Sequence, residues 1–383
     1  MRLRELFEAA PPKVGRKYQH IEDLTFTNGS NGAHHAVERL RSMGEQAGSI
    51  ELKWDGSPVV YWGRDEAGVF HLFPKNAWDY LKRGTTQTKS GVSTEMNSPE
   101  DIRNFILGTG NTEPGKEKQR QNYANQLASL WGYFEKISPD TGFIEGGLLF
   151  HPGQPAKLNP KTGDYDFTPN ITSFHIPAES DLGKRIRTAK VMVAATGYYE
   201  TMGTSDETRY PNAEALSTPD VIVQGTTYVE EAPGVDTDEL DQIEQYIDAN
   251  ADAIDSFLAP KPGLSKVGDI LYTFFNQNLR VAGVINKFES WIKNQIEAKK
   301  MSAAMAQKVL TDPGLEAVLT TVEMLTAAKM NLIAALGAGT HSGIKQTKPE
   351  GYVQAHPGGQ FKRDVPGQFV KAIDQANWAP RKD

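Results

Sequence analysis

No cysteine occurs in the 383 residues, which excludes a disulfide scaffold, a thiolate metal site and a cysteine nucleophile. Long uncharged apolar runs are missing as well. The most apolar stretch, Ala317 to Gly339, contains Glu323 and Lys329, whereas a spanning helix needs about 20 predominantly apolar residues. The opening Met1-Arg-Leu-Arg-Glu-Leu-Phe is charged throughout and has no apolar core of signal-peptide length. Internal repeats and low-complexity tracts are absent. Together these absences predict a soluble, cytoplasmic protein without a membrane partner. An excess of basic charge is also missing: 41 Lys and Arg stand against 48 Asp and Glu, a net charge of −7, where nucleic-acid binders are usually basic. The deficit is local, however. Thr226 to Pro260 holds ten acidic residues and no basic one, so the remainder of the chain carries +3. A nucleic-acid partner is therefore excluded only from the acidic segment.

The composition, with 38% hydrophobic residues, is globular, and the length predicts two domains or one with a large insertion. Ser49–Leu52 and Val59–Trp62 are β-prone runs on either side of a turn at Asp55-Gly-Ser-Pro58, which predicts adjacent strands. Val69–Phe73, Phe143–Phe150 and Asp220–Val229 read as further strands. Gly32–Met43, Pro99–Leu107, Gln119–Lys136 and Glu179–Ala195 read as helices. From Pro233 the texture changes. Leu240, Ile243, Ile247, Ile254 and Leu258 recur at helical spacing behind Thr237, the expected N-cap. Helices over Lys266–Val281, Ile285–Lys299, Ser302–Leu310 and Gly314–Leu336 complete about 100 residues, the size of a small bundle. The expected organisation is an α+β core formed by residues 1–235 and 340–383, interrupted by an all-α insertion over 236–339.

The tetrapeptide Lys53-Trp54-Asp55-Gly56 follows a strand and opens a turn. A lysine so placed can be held with its amine in a pocket. The free amine, with a pKa near ~10.4, is protonated and unreactive until cationic neighbours or a phosphate-bound metal favour its neutral form. Alone the string is weak, because a surface lysine beside a turn aspartate reads the same way. Downstream stand Gly142-Phe-Ile-Glu145-Gly-Gly-Leu-Leu-Phe150, Ser173-Phe174-His-Ile-Pro177, Lys348-Pro-Glu350-Gly-Tyr-Val353 and Phe361-Lys362-Arg363.

In this order the set resembles the covalent nucleotidyltransferases: ATP-dependent DNA ligases, RNA ligases and mRNA capping enzymes. It is also similar to ligase-related proteins of tailed bacteriophages. The resemblance implies a ligase-type adenylation core of antiparallel sheets, with ATP and Mg²⁺ as cofactors. It implies that Lys53 attacks the α-phosphate to give lysyl-AMP, with Asp55 orienting the nucleophile's turn. By the same resemblance Lys362 contacts the α-phosphate, Glu145 the ribose and Glu350 the metal, while Phe174 stacks on adenine. A lone phenylalanine, though, is more often core than a base platform.

Three departures narrow the resemblance. Pro58 stands where many DNA ligases and capping enzymes have arginine. Gln360 replaces the first of two last-motif lysines, and Lys371 competes with Lys362 for the second. Glu145 and Glu350 are 205 residues apart, an excess that the helical insertion supplies. Only 21 residues follow Lys362, too few for the barrel appended to DNA ligases and capping enzymes. The expected reaction is therefore the joining of 5′-phosphate and 3′-hydroxyl ends, of RNA more than DNA. The insertion would clamp nucleic acid or a protein partner. The alternatives are another lysine-dependent nucleotidyltransferase, such as a DNA ligase or capping-like enzyme, and a non-catalytic interaction protein retaining the fold.

Other signals carry less. Gly337-Ala-Gly-Thr-His-Ser-Gly-Ile-Lys345 fails the phosphate-loop spacing and reads as a helix cap and linker. His34 and His35 are neighbours on a helix and cannot share a metal from one face. Lys75, Lys82 and Arg83 lie where ligases often touch a 5′-phosphate, and read equally as a solvated face. Arg185, Arg187 and Lys190 read as one basic helix face.

Overall fold

Runs rich in β-branched and aromatic residues favour strands, and those buried on both faces read as continuous apolar segments. Val59-Val-Tyr-Trp62 and Gly142–Phe150 behave this way, as the centre of the largest sheet. The computed structural model describes residues 19–45, 50–52, 54, 56–88, 90–109, 115–170, 172–204, 206–208, 210, 212–225, 227–262, 267–278, 283–338, 344–347, 351–355 and 369–373. In chain order, β1 (Gln19–His20) leads to α1 (Asp23–Glu45), then β2 (Ile50–Leu52), β3 (Val59–Arg64) and β4 (Phe70–Pro74). Next come α2 (Lys75–Leu81), α3 (Pro99–Thr109), α4 (Glu117–Ser129) and α5 (Trp131–Lys136). β5 (Gly142–Phe150), β6 (Lys157–Leu158), β7 (Asp164–Phe167) and β8 (Ser173–Pro177) precede α6 (Asp181–Ile186), β9 (Val191–Tyr199) and β10 (Val221–Gln224). The helical stretch is α7 (Thr237–Leu258), α8 (Val267–Gln277), α9 (Phe288–Glu297), α10 (Ala303–Leu310) and α11 (Gly314–Ala338). Last are β11 (Lys345–Thr347), β12 (Gly351–Ala355) and β13 (Phe369–Ile373).

The strands form three sheets with orders β1-β13-β12-β2, β10-β9-β5-β3-β4 and β11-β8-β7-β6. Pairing is antiparallel except at β1–β13 and β10–β9. The protein is thus mixed α and β, with mostly antiparallel sheets. The expectation that β2 and β3 are adjacent is overturned, because they belong to different sheets. Gly56 approaches Gly147 so closely that a Cβ on either would collide with the other's backbone. The Ser57 N–H also donates to the Leu148 carbonyl at 2.8 Å. The chain is therefore drawn across to β5 instead of turning back on β2.

Three other expectations need correction. The helix expected over 179–195 is α6 followed by β9. Val191-Met-Val-Ala-Ala is a short apolar run whose periodicity cannot separate buried strand from buried helix, and pairing with β5 and β10 decides it. The helix expected over 119–136 is two, α4 and α5, joined at Leu130. The N-cap of α7 is Asp236, whose carboxylate accepts the Glu239 N–H at 3.0 Å.

The core has three parts. One joins α1 and the near halves of α7 and α11 to the sheets, through Val37, Leu40, Ile243, Leu332, Ile50, Phe150 and Ile222. A second packs α2 to α5 on the large sheet around Trp62, Trp78, Phe105 and Phe134. The third is helical, with Phe257, Phe274, Phe288 and Val322. Residues 236–339 therefore share a core with the sheets at one end and build their own at the other. One described helix, over Gly314–Leu336, is long and apolar enough to cross a membrane by length and composition; 61% of its apolar window is buried within the fold. Lys329, in its interior, is fully buried and pairs with Glu22 at 2.6 Å.

Helix α1 is broken at Gly29, whose φ of 61° and ψ of −140° suit only glycine. The second half is capped from α7, where Asp255 accepts the Ser30 N–H at 2.7 Å and the Ser30 hydroxyl at 2.8 Å. Arg41 reaches Asp241 and Glu244, and His34 reaches Asp248. Part of the acidity of α7 is thus taken up by α1.

Candidate functional site

Of the expected site residues, Lys53, Asp55, Glu350 and Lys362 lie outside the described residues, while Glu145 and Phe174 lie within them. The segments flanking the first group are described. Leu52, next to Lys53, is the register partner of Tyr352, which is two residues from Glu350. The Leu52 N–H donates to the Thr227 carbonyl at 2.8 Å. Trp54 donates its indole N–H to the Thr227 hydroxyl at 3.3 Å. Gly56 packs on Gly147, two residues along β5 from Glu145 and so on the same strand face. Lys371 lies in β13, opposite Val353 of β12. The sequence segments around positions 52, 145, 174 and 352 thus converge on the crossover between the first and second sheets.

Glu145 sits on β5 between Tyr61 of β3 and Gly197 of β9. The Tyr199 hydroxyl lies 2.6 Å from Glu145 Oε2 and 3.0 Å from Glu207 Oε2, and Tyr61 is the register partner of Glu145 on β3. Burial, with Glu145 and Glu207 adding their charge, raises the Tyr199 pKa. Burial, followed by the charge of Glu145, does the same for Tyr61. Both phenols stay protonated, and Tyr199 acts as a donor. The Lys82 ammonium lies 5.0 Å from the Tyr199 ring centroid and 5.8 Å from that of Tyr61, within cation–π range. The result, among the described residues, is a cluster of two acids, two phenols and one cation. Tyr61, Tyr199 and Glu207 were not expected from the sequence. They belong to no recognisable motif; the pairing of β3 with β5 brings Tyr61 to Glu145, and the pairing of β9 with β5, with the Tyr198–Thr208 bridge, brings Tyr199 and Glu207.

Phe174 does not have the geometry expected of a base platform. It is fully buried, with Trp54 stacked at 4.8 Å and Phe167 at 5.4 Å. Its ring is core, and it braces Trp54 of the crossover. Among the flagged basic residues, Lys82 faces the cluster. Lys75 pairs with Asp79 at 2.9 Å, and Arg83 lies over Tyr80 at 4.7 Å. Arg185 bonds Ser217 and Arg187 bonds Glu179, outside the cluster.

Among the described residues, no group of three or more His, Cys, Asp or Glu is placed to hold a metal. Magnesium bound mainly through substrate phosphates needs only one or two carboxylates, and Glu350, the carboxylate expected to hold it, lies outside the described residues. Fold and cluster define a mixed α/β protein with a polar site at the crossover between two sheets. The chain belongs to DUF6267, a family of unknown function, which it matches over residues 17–79 and 112–364. No curated protein and no solved structure matches it.

Proposed function

We propose that the protein is an ATP-dependent polynucleotide ligase, acting on RNA ends more than DNA ends, with a ligase-type adenylation core. The pairing of β2 with β12 carries this reading. It sets Leu52 beside Tyr352, so the chain entering Lys53-Trp-Asp-Gly lies next to the chain leaving Glu350. The strands that flank these two motifs, some 300 residues apart in sequence, thereby share one sheet. The contacts of Gly56 with Gly147 on the Glu145 strand and of Trp54 with Phe174 support it further.

In the first step the neutral Lys53 amine attacks the α-phosphate of ATP. A P–N bond forms, the bond to pyrophosphate breaks, and the amine proton is lost. AMP then passes to a 5′-phosphate, freeing Lys53. A 3′-hydroxyl attacks that activated phosphate, forming the phosphodiester and releasing AMP. Lys362 neutralises charge at the α-phosphate, Asp55 orients the turn, and Glu145 accepts from the ribose. Glu350 would hold magnesium, which would supply charge neutralisation at the phosphates. No adenine-stacking role is assigned to Phe174. Such a ligase works in the cytoplasm, that of the host if the chain is phage-encoded, and the inserted helices would bind nucleic acid or a protein partner.

The test is incubation with α-labelled ATP or GTP and Mg²⁺. Expected is a protein-bound label from ATP but not GTP that survives denaturing electrophoresis and alkali, is released by acid, and is missing in Lys53→Ala. Absence of label with both nucleotides, or its persistence in Lys53→Ala, overturns the mechanism. Labelling by GTP alone would favour capping-like chemistry.

A further inference from the structure

The Tyr199 hydroxyl has one proton and two carboxylate neighbours. Its ring cannot swing aside, since it is buried against Trp78 at 5.4 Å and Tyr61 at 5.8 Å. Glu207 is held from the other side. Tyr198 and Thr208 exchange two backbone hydrogen bonds of 2.8 Å, returning the chain beside β9. Gly197, the register partner of Glu145, leaves room for the Glu207 carboxylate, which a Cβ at that position would strike. Two backbone bonds, a glycine and a buried phenol thus fix Glu207 and Tyr199 against Glu145. A carboxylate held by such a shell keeps one orientation, which is what precise hydrogen bonding to a substrate requires.

We propose that Tyr199 and Glu207 are positioning residues for Glu145, and that through it the site selects a ribonucleotide over a 2′-deoxyribonucleotide. The proposal rests on the ligase reading, in which Glu145 meets the ribose. A carboxylate only accepts hydrogen bonds, and a ribose offers two adjacent O–H donors. A site built to bond a substrate hydroxyl discriminates strongly against the analogue lacking it. That discrimination requires the acceptor to be held in place. Without the phenol, Glu145 gains rotamers and the difference between the two sugars shrinks.

The experiment measures lysyl adenylation by the full chain from ATP and from 2′-deoxy-ATP. It compares wild type, Tyr199→Phe, Glu207→Gln and Glu207→Ala. In Tyr199→Phe the ATP KM should rise about tenfold with kcat changed by less than about twofold. The deoxy substrate should be little affected, so the preference for ATP falls about tenfold. Glu207→Gln, whose amide still bonds the Tyr199 hydroxyl, should keep most of the preference, and Glu207→Ala should lose it. Equal slowing of both nucleotides marks a merely structural tyrosine and overturns the proposal, as does an unchanged preference. Should Tyr199→Phe not fold, the contrast between the two Glu207 variants decides the same question. Absence of any adduct in wild type overturns the ligase reading and this proposal with it, whereas an adduct with unaltered preference overturns this proposal alone.

Discussion

Glu22 and Lys329 meet with both side chains fully buried, as a 2.6 Å ion pair between the turn before α1 and the middle of α11. At the crossover, Glu145 and Glu207 instead converge on the single Tyr199 hydroxyl, with Lys82 over the ring. The first group sets a cation against an anion and is closed to solvent. The second sets two carboxylates on one phenol, in a place where distant segments of the chain meet. Opposite charges brought together suit a contact that joins two parts of a fold. Like charges brought together suit a site that acts on a ligand carrying donors or positive charge. The comparison predicts that damage to the first group appears as lost stability, and damage to the second as altered chemistry.

The largest effect should come from Lys329→Met. Removing one partner strands a carboxylate in the core, which costs about 3–5 kcal/mol, whereas replacing both partners by apolar residues is often neutral or stabilising. Glu22→Leu with Lys329→Met should therefore recover most of the loss. Urea unfolding midpoints of the two variants check this. A double variant as unstable as the single one would show that the pair is not the self-contained unit described. If Lys329→Met left stability intact and abolished adenylation, the division between the two groups would fail.

The break in α1 gives the next effect. At Gly29 the backbone occupies a region open to glycine alone, and a Cβ would strike the Asp255 side chain. Gly29→Ala should cost roughly 2–3 kcal/mol. Asp255→Ala removes only the cap on Ser30 and should cost about 1–2 kcal/mol. Thermal denaturation should rank them in that order. The reverse order would mean that Asp255 does more than cap, with α1 tolerating a straightened helix.

Much of the helical region was legible because its physics is local. Leu240, Ile243, Ile247 and Ile254 recur at the period of a helix and are buried as that period requires. The pairing of Asp255 with Ser30 was not legible, since a capping carboxylate 225 residues away leaves no periodic trace. The sheets divide in the same way. β5 was evident from its apolar run, but β9 was read as helix because Val191-Met-Val-Ala-Ala suits either state until a partner strand is known. Within the candidate site, Glu145 stood out through the order of motifs. Tyr199 and Glu207 could not, because register alone brings them to it. Phe174 shows the opposite error: a motif position suggested a ligand surface where two aromatic neighbours make it core.

The smallest effect tests the comparison along one strand and its immediate continuation, since β5 carries Glu145 and the next residue after it is His151. His151 belongs to the closed kind. It is buried, its Nδ1 accepts the Gly153 N–H at 3.1 Å, and its Nε2 lies 2.7 Å from the Gln126 amide. Burial holds its pKa below the ordinary histidine value, and protonation would also forfeit the Gly153 bond. The unfolded chain therefore binds a proton near pH ~6.5 that the folded chain refuses. Stability from this group is present above that pH and is lost as pH falls from about 6.5 toward the lower folded value. His151→Gln, which cannot titrate, should flatten the fall in unfolding free energy between about pH 7 and 5 by about 1 kcal/mol or less. Its ratio of ATP to 2′-deoxy-ATP adenylation should match wild type throughout. An altered ratio would place His151 in the same polar network as Glu145, and the distinction between closed and open groups would then run through the strand differently from the way the hydrogen bonds divide it.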